Sequence, residues 1–509
     1  MRRVKELIEV VEPAAAPSAA GILLKEPGLL RHKAYVGGVW VDADGGAAFD
    51  VLNPATGELL STMPRLGVAE TRRAIEAAAD AYPEWRALLA KERARIMKRW
   101  ADLLLEHLDD LALLLTAEQG KPLVESEAEI AYAASFLEWF GEEAKRVYGD
   151  TIPTYLPDRR VVVLKQPIGV TAGITPWNFP AAMPTRKCAP ALAAGNTMVL
   201  KPAEQTPLTA LAVAKLAEEA GLPAGVLSVV TGDAADAPTI GGELTSNPIV
   251  RKVGFTGSTE VGKLLMEQCS RQLKKISLEL GGNAPFIVFD DAQLDAAVAG
   301  TVVCKYRNSG QTCISANRIL VQDGIYDDYL EKLIESVTRL KVGSGTEAGV
   351  SVGPIIDEAG FAKVRRHVED AVDSGAQVLS GGKPHELGRT FFEPTVLVDV
   401  RPEMAMAREE TFGPVAGITR FSTEEEAVRV ANDTPYGLAA YFYSRDVGRV
   451  WRVSEALDYG IVGINTGFIS TEVAPFGGMK ESGIGREGSR YGIDDWVEIK
   501  YLAIAGVDS

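Results

Sequence analysis

The stretch "TMVLKPAEQTPLTALAVAKLAEEAG", Thr197 to Gly221, reads as a strand, a turn and a helix. Thr197 to Lys201 is a short apolar run of strand length that "KPAEQ" interrupts. Thr206 is predicted to N-cap the helix, with Pro207 in its first turn, Leu208, Leu211, Ala212 and Leu216 along its apolar face, and Gly221 as terminator. The alternation extends outward: "GVTAGIT" precedes this unit, and "VLSVVTG", "VRKVGFTGS" and "APFIVFD" follow it with helical patterns between them. Such alternation predicts an α/β fold, a parallel sheet covered by helices on both faces. Open α/β sheets bind nucleotides outside the carboxyl ends of their strands, where Lys201 and Glu204 fall, and a carboxylate there suits a ribose diol.

The totals bound the remaining choices. A chain of 509 residues is too long for one hydrophobic core, so two or three domains are expected. No apolar run is long enough to span a bilayer. A net charge of -16 opposes bulk attraction to nucleic acid or anionic lipid, so an anionic ligand needs local cations. Cys188, Cys269, Cys304 and Cys313 show neither metal-site spacing nor disulfide density, so no metal is expected and a reducing cytoplasm fits. The opening "MRRVKELIEVVEPAAAPSAA" carries Glu6, Glu9 and Glu12 and lacks a continuous apolar segment, which argues against a targeting signal. From Val68 to about Lys145 the pattern is helical, and "TYLPDRRVVVLKQPIG" then changes to β-branched runs around a Pro-Asp turn, predicting a hairpin arm.

Chemistry enters at "NSGQTCISANR", where Cys313 follows a glycine in a polar run unlike a core strand. A thiolate at a helix N-terminus after such a loop would be stabilised and nucleophilic. No histidine lies between His107 and His367 to act as its base, which leaves a carboxylate. Glu279 is the local choice: in "ISLELGGN" it alternates with apolar Leu278 and Leu280, and partial burial near the thiol would raise its pKa toward a useful value. In "ITPWNFP" two prolines stiffen the loop around Asn178, whose amide becomes the fixed donor an oxyanion hole requires. "VGFTGSTEVGKLL" reads as strand, glycine turn and helix start, whose amides suit a phosphate. A cofactor-free thiol hydrolase or thioesterase could use the same three side chains, but it leaves Glu204 and the glycine turn unexplained.

In their order, "ITPWNFP", "KPAEQTP", "FTGSTEVG", "LELGGNAPFIV", "GQTC", "EETFGPV" and "PFGGMKESGIGREG" resemble the aldehyde dehydrogenase superfamily, from roughly Lys33 to the C-terminus. "TRKCAPALAAGNTMVLKP" and "YGIVGINTGFISTEVAPFGGMKESGIGREGS" are similar to its succinate-semialdehyde branch. The resemblance implies a Rossmann-type NAD(P) domain over residues 31–145 and 168–280 and an αβ catalytic domain over 281–480. It also implies a β-strand oligomerisation arm over 146–167 and 490–504, after an N-terminal extension over 1–30. Homodimers or homotetramers are implied.

The resemblance assigns Cys313 as nucleophile, Asn178 with the Cys313 amide as oxyanion hole, Glu279 as general base, and Lys187 with Glu487 as a proton relay. Cofactor contacts are expected from Thr175, Pro176, Trp177, Lys201, Glu204, Gly257, Ser258, Gly262, Leu280, Glu410 and Phe412. Glu204 would repel a 2′-phosphate, so NAD is expected over NADP. Arg186, Arg307 and Ser470 match contacts to a substrate carboxylate, which points to succinate semialdehyde, with glutarate semialdehyde or a general aldehyde as alternatives. Sulfur adds to the aldehyde, the adduct expels hydride to the nicotinamide, and Glu279 activates water against the resulting thioester. Ser315 stands where some relatives have a second cysteine, so no disulfide switch is expected.

Overall fold

A computed structural model describes residues 22–506. The first sheet has five parallel strands, ordered Lys275–Glu279, Val250–Thr256, Val170–Ile174, Thr197–Lys201 and Leu227–Val229. Ala34–Val36 and Val39–Val41 add antiparallel strands at one edge, and Gly483–Ile484 adds another at the opposite edge. Ile174 pairs with both Lys201 and Phe255, and Thr256 pairs with Glu279. The carboxyl ends of four strands are therefore level, which opens a crevice beyond them.

The second sheet has seven strands, ordered Gln377–Ser380, Thr395–Val398, Val415–Phe421, Ala316–Gln322, Ala284–Val288, Ala439–Tyr443 and Ile461–Ile464, all parallel except the first pair. Residues 280–283 alone join Glu279, at the carboxyl end of the first sheet, to Ala284, at the amino end of the second. Cys313 lies just before Ala316, at that same amino end. The connection brings the expected base and nucleophile to one cleft between the sheets.

Strand Arg159–Pro167 pairs with Asp150–Ile152 and along its whole length with Val497–Ala505, so the expected hairpin belongs to a three-stranded antiparallel sheet. Residues 1–21 of the expected N-terminal extension lie outside the described residues. From Ile22 the chain packs: Ile22 and Leu29 join the largest core, and the Lys25 and Glu26 amides donate to the Asp110 carboxylate.

Helices Val68–Ala87, Ala90–Glu106, Leu108–Gln119 and Leu123–Glu143 occupy the stretch read as helical. Helix Pro207–Glu219 forms as expected, and Gly221 follows it with φ +89°, the left-handed turn a glycine takes without strain. Its N-terminus departs from expectation. Thr206 holds the cap position, but its hydroxyl accepts no amide and is buried without a partner. The Glu118 carboxylate, arriving from another helix, accepts from the Leu208 and Thr209 amides, each at 2.8 Å. A threonine signature cannot reveal that a remote carboxylate has taken its task.

Glu118→Ala leaves both amides buried and unpaired, so it is expected to lower stability by roughly 1–3 kcal/mol. Thr206→Ala, which removes no cap bond, should cost less than about 0.5 kcal/mol. Urea unfolding of the two variants checks the ranking.

Candidate active site

A cavity of about 510 Å³ opens between the sheets. Its wall brings together twelve of the expected site residues: Pro176, Trp177, Asn178, Arg186, Gly257, Ser258, Leu280, Arg307, Cys313, Glu410, Phe412 and Ser470. Thr175, Lys201, Glu204 and Gly262 lie beyond it, around the carboxyl ends of the first sheet. Glu279, Lys187 and Glu487 are buried behind it. No histidine lines the cavity among the described residues.

Cys313 is half-buried, in a turn between the 3-10 segment Arg307–Gly310 and strand Ala316–Gln322. The expected helix N-terminus is absent, and with it the dipole that would favour a thiolate. Burial instead pushes the thiol up to about 12, with Glu410 and Glu279 adding to the rise and Arg186 opposing it. Cys313 is thus held as a neutral thiol.

The loop ahead of it is strained by design of its contacts. Asn308, Ser309 and Gly310 have φ of +51°, +56° and +74°. Left-handed non-glycine residues cost on the order of 1 kcal/mol each, and asparagine tolerates the region better than most. Side-chain bonds hold the run: Asn308 Nδ2 donates to the Asn178 carbonyl at 3.0 Å, and Ser309 Oγ donates to the Gly353 carbonyl at 2.9 Å. Gln311 Nε2 donates to the Asn308 carbonyl at 3.1 Å, while Gln311 Oε1 accepts from the Ile356 amide at 2.9 Å. At Gly310 any Cβ would strike the Gly413 carbonyl, so glycine is required twice over.

Asn178 is 5% exposed, and its Nδ2 donates to the Gln311 carbonyl at 3.0 Å, two residues before the thiol. That bond orients the amide and leaves its second N–H without a protein partner. The Asn178 Oδ1 is also unpaired.

Behind the cavity, helix Ala182–Ala194 is buried on every side. Its two cations, Arg186 and Lys187, therefore need a counter-charge in place. Glu487 supplies it. Gly483–Ile484 pairs with Leu278 and Glu279, Glu487 exchanges backbone bonds with Phe476, and the chain returns the carboxylate to the first sheet. Lys187 Nζ donates to Glu487 Oε1 at 2.5 Å and to Thr256 Oγ1 at 2.6 Å, and Arg186 Nη2 lies 2.8 Å from Glu487 Oε2. Burial opposes ionisation of Glu487, but Lys187 and Arg186 outweigh it and hold the carboxyl below its ordinary value. Glu279 is moved oppositely: burial and then the Glu487 charge push it well above the carboxylate range, and its Oε2 has no partner.

The two arginines expected to meet a substrate differ. Arg186 already holds a carboxylate and lies 4.1 Å from the centre of the Phe476 ring. Arg307 sits over Phe179 at 5.5 Å and Phe468 at 5.0 Å, and its side chain has no ion pair or hydrogen bond among the described residues.

The cofactor-side residues fit a dinucleotide. Ser258 caps helix Thr259–Ser270, its Oγ accepting from the Val261 amide at 3.3 Å, directly after the Val250–Thr256 strand. A Cβ at Gly262 would strike the Leu280 side chain, so that helix lies close against the strand end. Lys201 Nζ is 3.7 Å from Glu204 Oε2, and the Thr175 hydroxyl nearby is buried without a partner. Trp177 and Phe412 meet edge to face at 5.5 Å, and Glu410 Oε1 accepts from the Gly282 amide at 3.0 Å while burial pushes Glu410 up to about 7.

Residues 40–502 match the model of the aldehyde dehydrogenase family. The chain belongs to the aldehyde dehydrogenase family. It is an NAD(P)-dependent enzyme of that family, and several relatives are similar over nearly its whole length. A glutarate-semialdehyde dehydrogenase of Pseudomonas aeruginosa is 64% identical, over 95% of this chain and 100% of that one. A succinate-semialdehyde dehydrogenase [NADP(+)] of Escherichia coli is 61% identical, over 94% and 99%. The solved succinate-semialdehyde dehydrogenase from Burkholderia pseudomallei superposes with a TM-score of 0.93 at 63% identity, covering 95% of this chain and 99% of that one.

Sequence reasoning missed Glu125, Glu129, Tyr132, Phe179, Lys363 and Phe468, all on the cavity wall of this aldehyde dehydrogenase. Glu125 and Glu129 sit four apart on a helix, a spacing that on sequence alone suggests a solvated face.

Because burial keeps the thiol neutral, its reactive fraction grows with pH throughout the accessible range. Alkylation of Cys313 by iodoacetamide, without cofactor or substrate, should accelerate about tenfold per pH unit from about pH 7 to 9. Peptide mass spectrometry follows the label, and a plateau by about pH 8 would show an activated thiol instead.

Proposed function

We propose that this enzyme oxidises a short aldehyde carrying a remote carboxylate, with succinate semialdehyde preferred and glutarate semialdehyde the alternative, and that it uses NAD in preference to NADP. The observation that carries the substrate assignment is Arg307, a guanidinium without a partner, held between two rings on the wall that also bears Cys313. A guanidinium fork binds a carboxylate bidentately, and Ser470 on the same wall adds a hydroxyl. Arg186 reaches the substrate only in competition with Glu487.

In this reading Glu279 first releases its own proton and then takes that of Cys313 as sulfur adds to the aldehyde carbon. The free Asn178 N–H and the Cys313 amide hold the oxygen that gains charge. Lys201, Glu204, Gly257, Ser258, Gly262, Glu410 and Phe412 would hold the dinucleotide, which when bound accepts the hydride expelled as the C–O bond becomes a carbonyl. Glu279, having again released its proton, takes one from water, whose oxygen displaces sulfur from the thioester, and returns that proton to the departing sulfur to restore the thiol. Lys187, with its bonds to Glu487 and to Thr256 on the cavity wall, offers the route by which Glu279 releases its protons. A cofactor-free thiol hydrolase would share Cys313, Asn178 and Glu279 but has no use for the Lys201–Glu204 pair, and family membership weighs against it.

The NAD preference rests on Glu204, whose carboxylate neutralises Lys201 and would face a 2′-phosphate. On the outer sheet, Ile499 is 71% and Tyr501 55% exposed, which supports assembly into a homodimer or homotetramer. A cytoplasmic setting fits the four free thiols.

Arg307→Ala is expected to lower kcat/KM for succinate semialdehyde by roughly 1.5–3 kcal/mol while leaving butyraldehyde within about twofold. Equal losses on both aldehydes would remove the carboxylate assignment. Glu204→Ser should raise kcat/KM with NADP about tenfold and lower it with NAD, read from steady-state kinetics with each cofactor; a parent enzyme equally efficient with both would reject the preference.

A further inference from the structure

Two ionisable side chains on one helix and its approach, Lys121 and Glu129, are withdrawn from water without a part in the reaction above, and a third, Glu125, is half-buried beside them. Lys121 and Glu129 form an ion pair at 2.6 Å, each side chain 1% exposed. Lys121 Nζ also donates to the Asn178 carbonyl at 2.7 Å and sits 3.9 Å over the Phe179 ring. Glu129 Oε1 accepts from the Ala181 and Ala182 amides at 2.9 and 3.2 Å, capping the start of helix Ala182–Ala194. The pair thus grips the loop carrying Asn178 at both ends, by the carbonyl of Asn178 itself and by the helix the loop enters. One turn earlier, Glu125 Oε2 accepts from the Asn308 amide at 2.7 Å, and Asn308 returns a bond to the same Asn178 carbonyl.

A buried ion pair loses in desolvation about what it gains in attraction, so stability alone is a poor reason for this one. Its geometry gives a better reason. The Asn178 carbonyl receives two donors, from Lys121 and Asn308, so the peptide plane of Asn178 is fixed relative to the loop that carries Cys313. An oxyanion donor works only if it waits at the position the oxygen will take, and a misplacement of about 1 Å can cost about a hundredfold in rate.

We propose that Lys121 and Glu129 are positioning residues that set the Asn178 amide against Cys313, so that they act on the rate of the chemical step through Asn178. The proposal rests on the reading of Asn178 as oxyanion donor.

Lys121→Met alone would strand a buried carboxylate and threaten folding, so the test uses Lys121→Met with Glu129→Gln, which removes both charges and keeps an acceptor for the two amides. The first-turnover rate of NADH formation is measured in the parent and in an Asn178→Ala background, with thermal unfolding and NAD affinity as controls for integrity. The expected result is a loss of at least about tenfold in the parent background, with NAD affinity within about twofold, and a further loss under about twofold once Asn178 is alanine. The same factor in both backgrounds would mean the pair does not act through Asn178, and no loss in the parent would mean it positions nothing; either overturns the proposal. If Asn178→Ala itself leaves the rate intact, the oxyanion reading falls first and the proposal with it.

Discussion

Charge withdrawn from water is the constraint from which the chemistry of this cleft follows. An isolated ion in a protein interior costs several kcal/mol, so each buried acid or base must find a partner or become neutral. Both solutions occur side by side here. Glu487 is wedged against Lys187 and Arg186 and stays ionised, whereas Glu279, close to that same carboxylate and without a cation of its own, is held as the acid. The Cys313 thiol is held neutral for the same reason. The resting site thus keeps both Cys313 and Glu279 in uncharged forms, and the positive charge of Arg307 is not spent on either. In a chain of net charge -16, that leaves a local cationic spot facing the cavity, the condition an anionic substrate requires.

The fold meets this constraint by having distant segments supply acceptors to buried helix starts and a counter-charge to buried cations. Glu118 caps the helix after the Lys201 turn, and Glu129 caps the helix after the Asn178 loop. Both come from the N-terminal helical layer, which gives that layer a part in shaping both halves of the cleft. The Gly483–Ile484 strand does the corresponding service at the far edge of the first sheet by delivering Glu487. The sheets fix where strand ends lie, and these crossing carboxylates fix where the loops beyond them point.

This division explains what could be read from the sequence. The α/β alternation, the parallel strands, the helical layer and the hairpin were legible because they depend on local periodicity and turn residues. Asn178 and Cys313 were legible as residue types in unusual settings, Arg307 and Ser470 only through the resemblance, and the structure places all four on one cavity wall. What depended on distant partners was not. Thr206 looked like a cap because its own signature is complete, yet Glu118 holds the amides. Cys313 was expected at a helix start because a polar glycine loop often precedes one, and the run of left-handed residues gives a turn instead. Lys121 and Glu129 were unremarkable in a stretch of ordinary helical composition, since nothing local says that a charged pair is buried.

Arg307 and Cys313 lie on one continuous stretch, with the left-handed run Asn308–Gly310 between them. The proposed carboxylate anchor and the proposed nucleophile are therefore spaced by a single stiff loop, held by side-chain bonds from Asn308, Ser309 and Gln311. Phe468 and Ser470 reach the same wall from the loop after strand Ile461–Ile464, with the Phe468 ring against Arg307. Succinate and glutarate semialdehydes differ by one methylene, and a pocket gains at most roughly 1–3 kcal/mol from sensing one. That energy is within the reach of one side-chain change on the Phe468 side. Relatives more than 60% identical to this chain bear the names of both substrates, in keeping with how little energy separates them.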